Sequence, residues 1–236
     1  MRNYFTFGNY DSRDFGVYIS GEGTYDAPAR VYDAISVPGR NGDLLINREK
    51  FGNITVTYPA FIAGANFRDK LASFRSAMLS TVGYARLVDT YHPEEFRLAY
   101  FGDSIKVDAR SQNDGGEFDI IFNCKPQRFL TSGETSQAIT NGGNITNPTL
   151  FDSKPLIRVT GYGTLTIGSD VITIASGQSY VDIDSETQDC YTGTENKNSK
   201  VTFQSNNFPV LPPGDTGITW TGSITRVTIT PRWWRI

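Results

Sequence analysis

From Leu211 to Ile236 the chain reads LPPGDTGITWTGSITRVTITPRWWRI, and this stretch indicates how the chain folds. Apolar and polar residues alternate along it, and the alternating apolar positions are Ile218, Trp220, Ile224, Val227 and Ile229. A period of two is typical of a β-strand that buries one face against a core. The stretch is therefore predicted to belong to a β-sheet.

A second stretch upstream, YDAISVPGRNGDLLI from Tyr32 to Ile46, places apolar residues on both sides of a turn sequence. Within it, Asn41 and Gly42 form the dipeptide that most readily supplies the two positive φ angles of a type I′ hairpin turn. We therefore expect the chain to reverse its direction here.

The composition is that of a globular protein without a strong charge. The 236 residues, with a mass of 26.1 kDa, suffice for one large β domain or two smaller ones, and two are preferred. Charged residues make up 20% of the chain, the formal net charge is -3, and basic residues are scattered among acidic ones. Such a surface lacks the basic patch that grips nucleic acid, so DNA binding is disfavoured.

The sequence carries no sign of a membrane segment or a disulfide. No apolar run approaches membrane-spanning length, and polar residues interrupt the first residues before a signal peptide could form. Cys124 and Cys190 lie in strand-like segments of what are predicted to be different domains. So sparse a cysteine set indicates free thiols and folding in a reducing cytoplasm.

Strand-like segments dominate the first half of the chain. Each is bounded by Gly, Pro, Asn or Asp, as short strands commonly are. The predicted strands are 14–19, 29–36, 43–47, 53–58, 84–89, 97–100, 104–109 and 117–124.

Residues 66–82 depart from this pattern and predict an amphipathic α-helix. Their apolar positions recur at spacings of three and four, which places them on one face of a helix. Asn66 is expected to cap the first turn with its side chain, Asp69 to favour the helix start, and Gly83 to end the helix. The apolar positions are Phe67, Leu71, Phe74, Met78 and Val82.

A change of composition marks a domain boundary. Residues 131–154 are rich in Ser, Thr, Asn and Gly and poor in periodic apolar residues, as connectors are. We therefore expect a first domain over residues 1–130, a linker over 131–144 and a second domain over 145–236.

The predicted fold class is mainly β, with an α+β first domain. In the second half, short alternating segments follow one another without a helical period, and Gly168, Ser169 and Asp170 indicate a tight hairpin. This pattern favours a C-terminal β-sandwich of jelly-roll or lectin-like type. A single helix among antiparallel strands favours an N-terminal sheet covered by that helix.

His92 is the only histidine, so a histidine-rich metal site is excluded. Pro93 after it favours an extended backbone at His92, and the structural interpretation is a turn.

Three carboxylates, Asp182, Asp184 and Glu186, alternate along one predicted strand and would share a face. They could hold calcium or act as a glycosidase acid and base, but an ordinary solvent-facing edge has the same pattern and is favoured. Glu94 and Glu95 cannot point the same way in an extended chain, so they are a poorer catalytic couple.

Two further motifs have structural and functional interpretations. The GYG sequence from Gly161 to Gly163 lacks the strand, loop and helix order of a phosphate loop and is interpreted as a turn. Trp233 and Trp234, beside arginines, could stack on sugars, but neighbouring strand residues face opposite sides, so at most one is expected to be exposed. A protein contact is favoured over ligand stacking.

The chain resembles the distal tail proteins of long, flexible-tailed bacteriophages, particularly those that infect Gram-positive bacteria. In the first domain the resemblance rests on VPGRNGDLLI, FGNITVTYPAFI, LASFRSAML, LVDTYHPEEFRLAYFG and FDIIFNCKPQRF. In the second it rests on NPT, KPLIRVTGYGTLTIG, YVDIDSETQDCY, FPVLPPG and ITPRWW. Their order and spacing cover most of the chain, and the first domain carries the stronger part.

This resemblance implies a structural protein of the virion tail tip, made in the cytoplasm of the host bacterium. The first domain, a β-sandwich with a helix, would join copies into a ring, usually a hexamer, beneath the tail tube protein. The ring would hold a tail-associated lysin or tail fibre and receptor-binding proteins, and DNA would pass through its lumen without specific binding. The second domain would be galectin-like. No catalytic, cofactor-binding or metal-binding residue and no membrane partner is implied.

Two other functions remain open on the sequence alone. A carbohydrate-binding β-sandwich adhesin of the baseplate or cell surface would need an exposed aromatic platform in the second domain. A tail hydrolase would need two carboxylates at the separation that glycosidases use.

Overall fold

The computed structural model describes residues 2–21, 26–110 and 115–236, apart from the side chains of residues 63 and 108–110. Strands dominate these residues, and they include one α-helix. The expected mainly β fold class is therefore confirmed. The chain divides into two compact units, one running to Arg128 and the other from Phe129 to Arg235.

The first unit contains short strands and the α-helix. A 3-10 helix, Ser12–Phe15, lies where residues 14–19 were predicted to begin a strand. The predicted strand 104–109 is also mostly irregular, since only its last residues fall in a strand. The strands are β1 (Phe5–Phe7), β2 (Tyr10–Asp11), β3 (Val17–Ile19), β4 (Arg30–Ile35), β5 (Leu44–Phe51), β6 (Ile54–Ala63), β7 (Ala85–Asp89), β8 (Glu95–Phe101), β9 (Asp108–Arg110) and β10 (Gly115–Cys124).

One curled antiparallel sheet forms the body of this unit. Its strands follow the order β2-β1-β7-β8-β10-β6-β3, and β9 pairs with β10. A bridge joins Asn3, just before β1, to Ile19 at the end of β3, so the sheet curls back on itself. Phe5 on β1 stacks on Tyr58 of β6 at 5.9 Å between ring centroids and meets Phe122 of β10 edge-on at 5.5 Å. The sheet therefore faces itself across an aromatic core, as the two layers of a sandwich do.

The helix α1 (Phe67–Ser80) covers this core. Its buried residues, Leu71, Phe74, Ala77 and Met78, lie on the face that the apolar spacing predicts. Its ends differ from the prediction, because Asn66 has a φ of 63° and makes no capping hydrogen bond with its side chain. Val82 lies beyond the helix and is 94% exposed.

The second unit contains two antiparallel sheets. After β11 (Arg128–Leu130) at the boundary and a 3-10 helix (Thr131–Glu134), its strands are β12 (Gln137–Ile139), β13 (Gly143–Asn147), β14 (Leu156–Thr160), β15 (Gly163–Ile167), β16 (Asp170–Ile174), β17 (Tyr180–Asp184), β18 (Asp189–Thr192), β19 (Glu195–Asn196), β20 (Val201–Phe203), β21 (Gly214–Gly222), β22 (Arg226–Thr230) and β23 (Trp234–Arg235). A 3-10 helix, Asn198–Lys200, precedes β20.

These sheets pack face to face as a β-sandwich. One has the order β12-β22-β14-β17-β18-β19 and the other β13-β21-β15-β16-β20. Alternate residues of both, such as Ile157 and Val227 in the first and Leu165 and Ile218 in the second, are fully buried in one shared core. Ile167 pairs with Asp170, so the tight hairpin predicted at Gly168, Ser169 and Asp170 is confirmed, but Asp170 already belongs to β16 and the loop is Gly168 and Ser169 alone.

Residues 131–144, which the composition favours as a linker, form part of this sandwich. Strand β12 pairs with β22, and Gly143 begins β13, which pairs with β21. The polar composition of this segment reflects its exposed strand faces. The buried contacts of the segment come from a few residues, such as Ile139 against the core.

Candidate functional site

Strands β4 and β5 form a hairpin in the first unit, called the exposed hairpin because most of its residues are exposed. The two strands pair only with each other among the described residues. Ile35 pairs with Leu44 and Asp33 with Ile46, so these side chains share one face, and Tyr32 and Leu45 lie on the other. The large apolar residues of both faces are 42% to 61% exposed, and they are Tyr32, Ile35, Leu44, Leu45 and Ile46.

Within the exposed hairpin, two pairs of side chains link the strands. Arg48 forms an ion pair with Asp33, and the Arg30 guanidinium lies 4.6 Å from the centre of the Phe51 ring. Surface pairs of this kind contribute at most about 1 kcal/mol, and a two-stranded hairpin is marginally stable alone in water. Contiguous exposed apolar side chains are typical of a protein contact surface. The exposed hairpin is therefore suited to bind another protein surface.

The turn of this hairpin differs from the predicted one. The chain reverses as expected, but the loop runs from residue 36 to 43, and Asn41 does not have the positive φ that a type I′ turn requires. Instead Gly39 and Gly42 have φ values of 79° and 81°, and the Arg40 amide donates to the Val37 carbonyl at 3.2 Å. Two separate glycine bends make a wider loop.

The carboxylates Asp182 and Asp184 are buried, so the interpretation of a solvent-facing edge is wrong for both. Arg158 donates from Nε and Nη2 to the two oxygens of Asp182, each at 2.7 Å. Arg232 donates to the two oxygens of Asp184 at 2.6 and 2.9 Å. Each carboxylate is thus neutralised by its own arginine in a two-pronged pair, and neither is a free acid or base.

The electrostatics of Asp184 follow from these contacts. Burial alone would raise its pKa, but the hydrogen bonds and charge of Arg232, with the Thr187 and Glu186 amides, outweigh burial and lower the pKa. The same pair raises the pKa of Arg232. Asp184 is therefore held as a structural anion.

The third carboxylate of this series is exposed. Glu186 lies in the turn after β17, 3.5 Å from Lys154 in an exposed ion pair, so the solvated interpretation is confirmed for it. Across residues 2–21, 26–110 and 115–236, no three His, Cys, Asp or Glu side chains are grouped to hold a metal ion.

His92 lies in a turn, as predicted, and belongs to a polar cluster beneath it. Asp89 accepts hydrogen bonds from the Tyr91 and His92 amides at 2.9 Å, and the His92 Nδ1 lies 3.2 Å from the same oxygen. The Tyr58 hydroxyl donates to the other Asp89 oxygen at 2.6 Å. Asp89 therefore fixes this turn on the sheet of the first unit.

Glu94 and Glu95 point in different directions, as their adjacency in an extended segment predicts. Glu94 is exposed, whereas Glu95 is buried and pairs with Arg128 at 2.6 Å. The two carboxylates cannot act on one bond together.

Both cysteines are free and buried, as expected from the sequence. Burial raises the pKa of Cys124 and of Cys190 to about 12. A thiol with such a pKa is protonated at neutral pH and is a poor nucleophile.

The C-terminal tryptophans are both covered. Trp233 is buried in the core of the second unit, and Trp234 stacks on Phe151 at 4.4 Å between ring centroids. The Trp234 indole donates to the Asp152 carbonyl at 2.9 Å. Trp233 is therefore closed to ligands, and Phe151 covers one face of the partly exposed Trp234.

In the described ranges, the helix does not have the length and apolar character that crossing a membrane requires.

Comparison with known proteins identifies the fold. No protein-family model and no curated protein matches the chain. Among solved structures, it is similar to the SPP1 Dit (gp 19.1) protein, described as a paradigm of the hub adsorption apparatus in phages that infect Gram-positive bacteria. The TM-score of this match is 0.74 and the sequence identity is 11%, and the match covers 100% of both chains.

The chain is also similar to the phage P2 baseplate in its activated conformation, in structures with Ca and with Sr. Both TM-scores are 0.53 at 11% identity, over 97% and 99% of this chain and 98% of the other. The resemblance seen in the sequence extends to the fold along the whole length. The chain therefore has the Dit-like fold of the phage tail hub.

Proposed function

We propose that the chain is a structural protein of a phage tail tip, in which copies of it form a ring. The single observation that carries this proposal is the exposed hairpin on a chain with a Dit-like fold. Its apolar side chains need a covering surface, and a neighbouring copy supplies one wherever the chain is assembled.

The ring is proposed from the kind of contact that suits the exposed hairpin. If it docks on a different surface of the next copy, the contact is head-to-tail, and a closed rotation makes a ring instead of a filament. Six copies are the expected number by likeness to the tail hub proteins. The ring would lie at the tail tip of the virion after synthesis in the host cytoplasm.

The proposed partners lie on the two sides of the ring. The tail tube protein would be above it, and a tail-associated lysin or tail fibre and the receptor-binding proteins below. DNA would pass through the lumen without specific binding, which the net charge of -3 supports because the acidic residues outnumber the basic residues that would displace counterions. No catalytic role is proposed, since Asp182 and Asp184 are each held by an arginine.

Native mass spectrometry of the full chain tests the ring. We expect an oligomer of one size for the unmodified chain, and negative-stain microscopy should show rings with an open centre. Leu45→Asp should abolish the oligomer, because it places a charge among the exposed apolar side chains of the hairpin, where Leu45 is 61% exposed.

The matched control is Leu150→Asp, the same change at a leucine that is 87% exposed in the second unit. It should leave the oligomer intact. A chain that stays monomeric at every concentration, or an oligomer that Leu45→Asp leaves unchanged, would contradict assembly through the exposed hairpin.

A further inference from the structure

A polar groove lies on the outer face of the six-stranded sheet in the second unit. It holds about 410 Å³ and is lined by side chains of β14, β17 and β22, with Ser136 at one side. On strands β14 and β22 the intervening residues Ile157, Val159, Val227 and Ile229 are fully buried, so the groove lies on the face away from the core.

The strand register sets the chemistry of the groove. Arg158 lies opposite Thr228, and Arg226 lies opposite Thr160 on the same two strands. Side chains directly opposite one another in adjacent strands share a face, so the two arginines are diagonal neighbours separated by threonine hydroxyls. A further hydroxyl pair, Ser136 and Thr230, lies within 2.6 Å at the side of the groove.

Arg158 is held rigidly in this groove. Nε and Nη2 are bound to Asp182, and the guanidinium lies 4.7 Å from the centre of the Tyr180 ring. Its side chain is nevertheless 56% exposed, and the donors on Nη1 are not used by Asp182. A fixed, partly exposed guanidinium loses little entropy when it binds a ligand.

Arg226 gives the groove its charge. Its side chain is exposed and has no carboxylate partner in the part of the chain that the structure describes. The two arginines and the single carboxylate of Asp182 leave one net positive charge among the lining residues. The guanidinium fork matches phosphate oxygens, and the hydroxyls match the hydroxyls of a sugar or polyol.

We propose that this groove binds an anionic, hydroxyl-bearing ligand, of which a sugar phosphate or polyol phosphate is the simplest form. Arg226 and Arg158 contact the phosphate, and Thr160 and Thr228 orient the hydroxyls. The proposal goes beyond a role in assembly and does not depend on ring formation, since every lining residue belongs to the second unit.

Isothermal titration of the full chain with glucose 6-phosphate, glucose and inorganic phosphate tests the proposal. Glucose 6-phosphate should bind at least about tenfold more tightly than either of the others, because only it engages both arginines and hydroxyls. Arg226→Gln should weaken glucose 6-phosphate binding by about tenfold. Arg226→Lys keeps the positive charge but loses the two-pronged geometry of the guanidinium. Its affinity for glucose 6-phosphate should lie between those of the unmodified chain and Arg226→Gln.

Lys200→Gln is the matched control, because it removes the same charge next to the other sheet, at the start of β20. It should leave binding unchanged. Equal losses in Arg226→Gln and Lys200→Gln would overturn the proposal, since the attraction would then be unspecific. Equal binding of glucose and glucose 6-phosphate, or binding of none of the three probes, would also overturn it. Melting curves of each variant establish that it is folded.

Discussion

At the scale of single residues, two arginine–aspartate pairs hold strand β17 in place. Asp182 and Asp184 are buried, and each has both oxygens bound by one guanidinium. Breaking a buried pair costs more than forming it contributes, because the remaining charge is left without a partner. These residues are therefore structural, and their ionisation should be visible in the stability of the second unit.

The pair of Asp184 with Arg232 predicts a dependence of stability on pH. The pKa of Asp184 is lower in the folded chain than the unfolded value of about 3.9, so its contribution is complete above pH 4 and is lost as pH falls through the folded pKa. Asp184→Asn should therefore cost about 2 kcal/mol at pH 6, and this difference should shrink towards pH 2. Urea unfolding at both pH values measures it.

Glu186→Gln serves as the control for this measurement, because Glu186 is exposed. It should change the stability little at either pH. A difference between Asp184→Asn and the unmodified chain that stays constant down to pH 2 would contradict the role given to the pair.

Gly163 is a position where a side chain cannot be placed. Its φ is 143°, and a Cβ atom there would lie 2.2 Å from the Thr221 carbonyl oxygen. Gly163→Ala should therefore destabilise the second unit by at least about 2 kcal/mol, measured by denaturant unfolding. Gly217→Ala, in the neighbouring strand β21 with nothing closer than 3.7 Å to its Cβ, should be neutral or slightly stabilising. If the two substitutions change the free energy of unfolding equally, the contact between Gly163 and the Thr221 carbonyl does not exclude a side chain.

The sequence alone could not predict the two arginine–aspartate pairs or the close backbone contact at Gly163. Alternation correctly places Asp182 and Asp184 on one face, but Arg158 and Arg232 lie 24 and 48 residues away from them in the chain. Strand pairing places Arg158 opposite Asp182, and the loop after β22 places Arg232 beside Asp184. The GYG sequence predicts a turn, but Gly163 is the first residue of strand β15. Strand β21 approaches its backbone closely, and the local sequence does not contain this tertiary contact.

At the scale of elements, the largest buried side chain of helix α1 is Phe74, which lies at the centre of the contact between the helix and the rest of the first unit. Phe74 is fully buried and packs against Phe5, Phe15 and Phe118 at 5.8 to 6.4 Å between ring centroids. The helix therefore contributes to the same core as the curled sheet.

Phe74→Ala should destabilise the first unit by about 3 to 5 kcal/mol, since it removes the ring and leaves a cavity. Leu79→Ala on the same helix should change stability by less than about 0.5 kcal/mol, because Leu79 is 63% exposed. Denaturant unfolding followed by tyrosine fluorescence or circular dichroism compares the two variants. A similar loss in both would mean that the helix is not anchored through Phe74.

The elements differ in how well the sequence predicts them. Helix α1 is predicted because apolar residues recur at helical spacing, which depends only on local geometry, and three of the five predicted positions, Leu71, Phe74 and Met78, are buried. The exposed hairpin is predicted as two strands with a chain reversal, but its apolar residues read like those of a buried strand. Their exposure depends on where the rest of the sheet lies, which local patterns do not contain.

At the scale of the whole molecule, the chain is a weakly acidic protein with two separate cores, one in each unit. We expect no retardation of duplex DNA in a gel shift at 150 mM salt, because acidic residues outnumber basic ones and the formal net charge of -3 opposes extended contact with the phosphate backbone. A basic DNA-binding protein serves as the positive control. Retardation that disappears at high salt would contradict this expectation and the proposed passive lumen.

The two buried thiols have a practical consequence for following the fold. With a pKa of about 12, each is almost entirely unreactive at neutral pH while its own core is closed. Cys124 lies in the first core and Cys190 in the second. Pulse labelling with a maleimide, followed by peptide mapping, therefore reports the opening of each unit separately through a reporter that the natural chain already contains.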